Sequence, residues 1–262
     1  PPPHPQFTPG AAEHFLTWLR TAFLDLPPPA RVLVLVWVAA MMLLPFVRRL
    51  WGERALVPGV TANVLLQASV VLAILWPTWG VPRTLLAALV VLVLSWGVEF
   101  LGSSTGFPFG RYHYTPRLQP QLARVPLLIP FAWLMMLPPS WGVAAALTGE
   151  TRGLPFIFLS GLALTAWDLF LDPQMVRWGL WVWERRGGYF GIPWMNFVGW
   201  ALAASLITAI VRSAPLPIAP LVLVYAITWA LETVGQLVFW RLYGPALAGF
   251  AAMGILLLGV WL

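Results

Sequence analysis

Four carboxyl side chains, those of Glu99, Asp168, Asp172 and Glu232, stand inside or at the end of long apolar runs, out of nine acids in 262 residues. A charged group at the centre of a bilayer costs about 2.5–3.5 kcal/mol on insertion scales, so an acid placed there marks a functional site by default. Asp168 and Asp172 are four apart and share one helix face. Acids gathered in a dry setting are suited to acid–base work, one group giving a proton and another taking one. The plainer reading is that each acid pairs with a loop arginine such as Arg111 or Arg177 and only fixes its helix. Asp172-Pro173 also reads as a helix-end signal. For a single acid the two readings compete evenly; for four acids at one depth, the chemical reading is the stronger.

The residues that are missing narrow the chemistry. All fifteen basic residues are arginine, so no lysine can form a retinal Schiff base. Cysteine is absent, which removes disulfides, thiolate nucleophiles and iron–sulfur ligation. Only His113 lies outside the N-terminal tail, too few histidines for a di-iron oxygenase or desaturase. No two glycines stand two apart, so the phosphate-cradling loop of flavin and nicotinamide enzymes is missing. Acid–base chemistry on an apolar substrate, metal-assisted ionisation and transport remain, and neither a cofactor nor a resident metal is expected. The arginines are scattered singly and form no stripe for a phosphate backbone, so nucleic acid is not an expected partner.

The elements that must position the four acids are membrane helices. Hydrophobic residues make up 60% of the chain and charged ones 9%, with a mean hydropathy of +0.82. A soluble domain carries roughly 25% charged residues. The chain is therefore read as an all-α, polytopic transmembrane bundle of about eight spans, each needing about 20 apolar residues. The spans fall over 32–50, 60–76, 83–101, 126–147, 154–172, 193–212, 217–238 and 245–262. Pro77, Pro82, Pro126, Pro193 and Pro245 punctuate them, and Pro-Pro-Ser-Trp-Gly at 138–142 is the least regular point within a span. Residues 1–30 form a tail with a surface amphipathic helix bearing Phe15, Leu16, Leu19 and Phe23 on one side; residues 31–262 form one transmembrane domain. The tail has no basic segment followed by an apolar core, so no cleaved signal peptide is expected.

Two interruptions, 102–124 and 173–193, are too long for plain turns. The second is expected to hold a short interfacial helix, since Met175, Trp178, Leu180, Trp181 and Trp183 suit the headgroup boundary. With eight spans, five arginines (Arg20, Arg31, Arg83, Arg152, Arg212) fall on one side and ten on the other. The positive-inside rule places the ten, both long loops and the acids toward the cytoplasm, in a bacterial cytoplasmic membrane.

Seventeen Trp, fifteen Phe and five Tyr complete the inventory. Trp96, Phe100, Trp133, Trp167, Trp194 and Trp200 lie close to the acids, and Phe107, Phe109, Tyr112, Tyr114, Tyr189 and Asn196 in or beside the long loops. Aromatic faces attract cations, so such a lining could stabilise a carbocation. For any single tryptophan, ordinary membrane packing is the commoner explanation.

Four segments carry a family resemblance: Glu-Phe-Leu-Gly-Ser-Ser-Thr-Gly-Phe-Pro-Phe-Gly-Arg-Tyr-His-Tyr from Glu99, Val-Pro-Leu-Leu-Ile-Pro-Phe-Ala-Trp from Val125, Trp-Asp-Leu-Phe-Leu-Asp-Pro from Trp167, and Gly-Tyr-Phe-Gly-Ile-Pro-Trp-Met-Asn-Phe-Val-Gly-Trp from Gly188. Together they resemble the CruF-type carotenoid 1′,2′-hydratases, over roughly 30–240. The resemblance implies a carotenoid substrate of the lycopene or γ-carotene type, in contact with the lipid bilayer and with other carotenoid-pathway enzymes. It implies water addition to the terminal double bond of an acyclic (ψ) end, giving a tertiary 1′-hydroxyl. On that chemistry Asp168 is the first candidate for proton donor, with Glu99 and Asp172 as base and relay and the roles open to exchange. Two enzyme alternatives use the same acids: an intramembrane prenyltransferase holding magnesium on Asp168 and Asp172, and an isoprenoid cyclase. A transporter or pigment-binding protein is the alternative of another class.

Overall fold

The computed structural model describes residues 11–211 and 215–261, with side chains from residue 16 onward. The tail's first ten residues, the side chain of Phe15, Arg212 and Leu262 lie outside the described residues. Helix α1 (Ala11–Leu24) is the amphipathic element, and its Ala22 is buried against the bundle while Leu16 points out. The transmembrane part follows as α2 (Pro28–Trp51), α3 (Leu56–Thr105), α4 (Leu128–Thr148), α5 (Gly153–Arg177), α6 (Trp194–Val211), α7 (Ile218–Val234) and α8 (Tyr243–Trp261).

Among the described residues, six helical stretches are long and apolar enough to cross a membrane. The first, Pro28–Thr105, is broken by a 3-10 turn at Gly52–Ala55 and by Gly80, whose φ of 72° and ψ of 165° leave the helix. At 50 residues α3 is more than twice the length of one span, so the break divides it into two. Counted at these breaks, the described residues form eight apolar segments, and Gly80 falls between the expected spans 60–76 and 83–101.

Helix α4 is buried almost all round and forms the centre of the bundle, packed on α3, α5 and α7. It runs unbroken through Pro138 and Pro139. A proline inside a helix leaves the carbonyl four residues earlier without its donor, and in lipid that group must be satisfied internally. Here Gln67 Nε2 reaches the Met135 carbonyl at 3.5 Å. The same remedy serves Pro173 in α5, where the Tyr189 hydroxyl donates to the Leu169 carbonyl at 2.9 Å.

The short helix expected within 173–193 does not form. Helix α5 absorbs the residues up to Arg177, and the chain then enters a strand, β4 (Trp181–Trp183). It pairs antiparallel with β1 (Tyr112–Tyr114) of the first long loop, Tyr112 opposite Trp183 and Tyr114 opposite Trp181. The reason is periodicity: Trp181 and Trp183 are buried on either side of an exposed Val182, an alternation of two that a strand satisfies and a helix does not. A second small hairpin joins β2 (Gln121–Leu122) to β3 (Val125–Pro126).

Candidate active site

Three of the four acids are held by specific donors. The Glu99 carboxylate, near the end of α3, accepts the Tyr112 hydroxyl at 2.5 Å and the Tyr114 hydroxyl at 2.7 Å on Oε2, and Trp133 Nε1 at 3.0 Å on Oε1. Burial, and then the Glu99 charge, push both phenols well above their ordinary value, so they stay protonated as donors. On α5, Asn196 Nδ2 bridges the other pair, at 3.0 Å from Asp168 Oδ2 and 2.5 Å from Asp172 Oδ2. Trp181 Nε1 donates to Asp172 Oδ1 at 3.0 Å, whereas Asp168 Oδ1 is buried without a donor.

No arginine among the described residues forms an ion pair with these acids. Arg48 and Arg117 both go to Glu53, with Arg117 Nη2 at 3.2 Å from Glu53 Oε2. The donors to the acids are phenols, indoles and an amide, a set built around carboxyl groups without neutralising them.

The first long loop is wedged between helices by one ring. A Cβ on Gly102 of α3 would stand 2.4 Å from Phe109, and one on Gly199 of α6 would stand 2.8 Å from it. Both glycines are therefore sockets for Phe109, which is 1% exposed and meets Trp200 at 6.4 Å between ring centres. Seating Phe109 brings the following strand, and with it Tyr112 and Tyr114, onto Glu99.

These groups surround a cavity of about 500 Å³. Glu99, Asp172 and Asn196 line it together with Phe109, Tyr112, Tyr114, Trp167, Trp181, Trp183 and Trp200. Another part of the wall carries Asn63, Gln67, Thr228 and the half-buried Glu232. Its rim reaches Met42 and Phe46 of α2 and Phe239 of the π-helical turn Gly235–Trp240, all exposed on the outside of the bundle. The cavity thus opens sideways, where an apolar molecule could enter from lipid. Among the described residues, no three His, Asp or Glu side chains are placed to hold a metal ion.

The remaining candidates fall at different distances from that wall. Trp133 sits just behind it, stacked on Trp200 at 4.4 Å. Asp168 is fully buried behind Asp172 and Asn196 and does not line the cavity. Tyr189 bonds the Leu169 carbonyl, and Trp194 packs outward against Tyr189 and Phe197. Trp96 stacks on Phe100 away from the cavity, and Phe107 is exposed on the loop. Sequence reasoning missed Asn63, Gln67 and Thr228, single uncharged polar residues in apolar runs. It also gave Trp181 and Trp183 to the headgroup boundary rather than to the site.

Residues 59–256 match the family model described as carotenoid biosynthesis protein. The bisanhydrobacterioruberin hydratase of Haloarcula japonica is 33% identical over 123 residues, which covers 45% of this chain and 42% of that protein. The chain thus matches less than half the length of this relative. No solved structure matches.

Proposed function

The chain belongs to the carotenoid biosynthesis protein family, and from that premise we propose that it is a carotenoid hydratase. It adds water to the terminal 1′,2′ double bond of an acyclic carotenoid end, of the lycopene or γ-carotene type, and gives a tertiary 1′-hydroxyl. The observation that carries the reading is Asp172, a carboxyl at the wall of an aromatic-lined cavity, joined through Asn196 to the buried Asp168. The hydratase similarity of part of the chain supports the same class of reaction.

In this mechanism the end group enters through the side opening, and the rest of the polyene stays along the lipid-facing rim. Two carboxyls bridged by one amide suit one shared proton. Asp172 delivers it to C2′, since it faces the cavity and Asp168 stands behind it. A tertiary cation forms at C1′, between the faces of Trp167, Trp200 and Tyr112. Glu99, ringed by three donors, supplies a fixed negative charge that favours the cation. Water then adds at C1′. The steps are redox-neutral and consume only water. The site faces the cytoplasmic side of a bacterial inner membrane in this reading.

The test is the pigment formed when the chain is expressed in a lycopene-accumulating cell, followed by incubation of purified protein in ¹⁸O-water. A tertiary alcohol carrying the heavy oxygen is expected. A cyclised end group, or label arriving only from ¹⁸O₂, would exclude the hydratase reading.

A further inference from the structure

We propose that Asn63, Gln67, Thr228 and Glu232 form the subsite that holds the attacking water, with Glu232 taking its proton. This assignment rests on the hydratase reading and adds to it the second half of the reaction.

All four side chains line the cavity, and none of them shares a hydrogen bond with the Asp172 cluster. They come from the first half of α3 and from α7, which are the second and seventh apolar segments and so run in opposite directions. Gln67 Nε2 donates to Thr228 Oγ1 at 3.1 Å and fixes the register between them. Asn63 lies one turn before Gln67 on α3, and Glu232 one turn after Thr228 on α7. In an antiparallel pair those two steps lead the same way, so Asn63 and Glu232 occupy the next level together.

Asn63 supplies the independent sign of a ligand. It is 7% exposed, and its Nδ2 is used by the Gly59 carbonyl at 2.9 Å. Its Oδ1 is buried with no donor at all. A buried amide oxygen is costly to leave unpaired, and the O–H of a water in the cavity would satisfy it. Held there, water would give one proton to Asn63 Oδ1 in a hydrogen bond and present the other to the Glu232 carboxylate.

The atoms balance without an oxidant or reductant. Asp172 loses its proton to C2′; the water oxygen bonds C1′ with a lone pair; the proton that water sheds passes to Glu232. Exchange with solvent returns the proton from Glu232 to the Asp172–Asp168 pair. Donor and acceptor then stand on different helices, which keeps Asp172 from recapturing the proton at once.

The experiment follows the cation. Purified protein is incubated with lycopene in D₂O, and deuterium is measured both in the alcohol and in the recovered alkene. A cation that is formed but not captured loses a proton and returns as labelled alkene. In Asn63→Leu and Thr228→Val, hydration is expected to fall about tenfold, the worth of one buried hydrogen bond, while label still enters the alkene. In Glu232→Gln, hydration is expected to fall by roughly 10²-fold or more, again with exchange retained. Asn63→Asp keeps an acceptor oxygen and is expected to restore capture; together with Thr228→Val it decides the matter if Asn63→Leu does not fold. Exchange and hydration falling together, or neither falling, overturns the assignment. So does a rise in KM confined to substrates that already bear a hydroxyl, which would make this a subsite for the substrate's own alcohol. If the wild type forms no alcohol, the hydratase reading itself has failed, an outcome distinct from all of these.

Discussion

At the scale of single residues, position relative to the cavity separates two acids that the sequence presents as equals. Their spacing of four was enough to place Asp168 and Asp172 on one helix face, but a helix face is wider than a cavity wall. Asp172 reaches the cavity and Trp181, while Asp168 is fully buried behind it with one oxygen lacking a donor. Asp172→Asn is therefore expected to lower turnover by about 10²–10⁴-fold, the usual worth of a general acid. Asp168→Asn is expected to cost less, because Asp172 remains to carry the proton, with Asn196 still beside it. Specific activity per folded protein decides the order, with Arg20→Gln on the surface helix as a silent control. A larger loss for Asp168→Asn would return the donor role to that residue. The acids were legible in the sequence because a charge in an apolar run is expensive. Asn63, Gln67 and Thr228 were not, because an uncharged polar residue in a span can bond its own helix, as Asn63 does with Gly59.

At the scale of elements, hydropathy revealed the helices and proline most of their ends. Pro138, Pro139 and Pro173 look like breaks, yet α4 and α5 pass through them, and Gln67 and Tyr189 meet the carbonyls freed by Pro139 and Pro173. Those partners are 68 and 20 residues away in the chain, beyond any local pattern. Strands β1 and β4 were hidden for a related reason, since three residues of mixed aromatic character do not fix a period until a partner strand supplies one. The loop that carries β1 depends in turn on Phe109 and its two glycine sockets. Gly199→Ala would put a methyl 2.8 Å from the Phe109 ring and 3.0 Å from the Pro108 carbonyl oxygen. Backbone cannot yield as a flexible side chain can, so the loop must lift, at about 1–3 kcal/mol. The expected outcome is a lower melting temperature together with lost activity, as Tyr112 and Tyr114 withdraw from Glu99. Unchanged activity with unchanged stability would show that the loop does not need this seat.

At the scale of the whole molecule, the structure makes one face of the bundle a single assembly. Strand β1 of the first long loop pairs with β4 of the second, Arg117 Nη1 donates to the Trp178 carbonyl at 2.5 Å, and Arg117 also reaches Glu53 in the turn between α2 and α3. Three connections that are distant in the chain therefore lie on one side of the membrane, whichever side that is. The ten arginines of that side, against five on the other with Arg212 outside the described residues, are the basis on which we propose that it faces the cytoplasm, by the positive-inside rule. Native cysteine is absent, so single introduced cysteines report without background. Ser104 is exposed in the last turn of α3 where the first long loop begins, Arg186 is exposed on the second, and Glu150 is exposed in the connection between α4 and α5 at the opposite end. In intact spheroplasts an impermeant thiol reagent is expected to label Glu150→Cys at once, and Ser104→Cys and Arg186→Cys only after permeabilisation. The inverse pattern would turn the molecule over and put the site on the outer face, leaving its internal geometry intact. Labelling of Ser104→Cys and Arg186→Cys from different sides is the more severe result. It would contradict the β1–β4 pairing, and with it the closure of Tyr112 and Tyr114 over Glu99 on which the proposed chemistry depends.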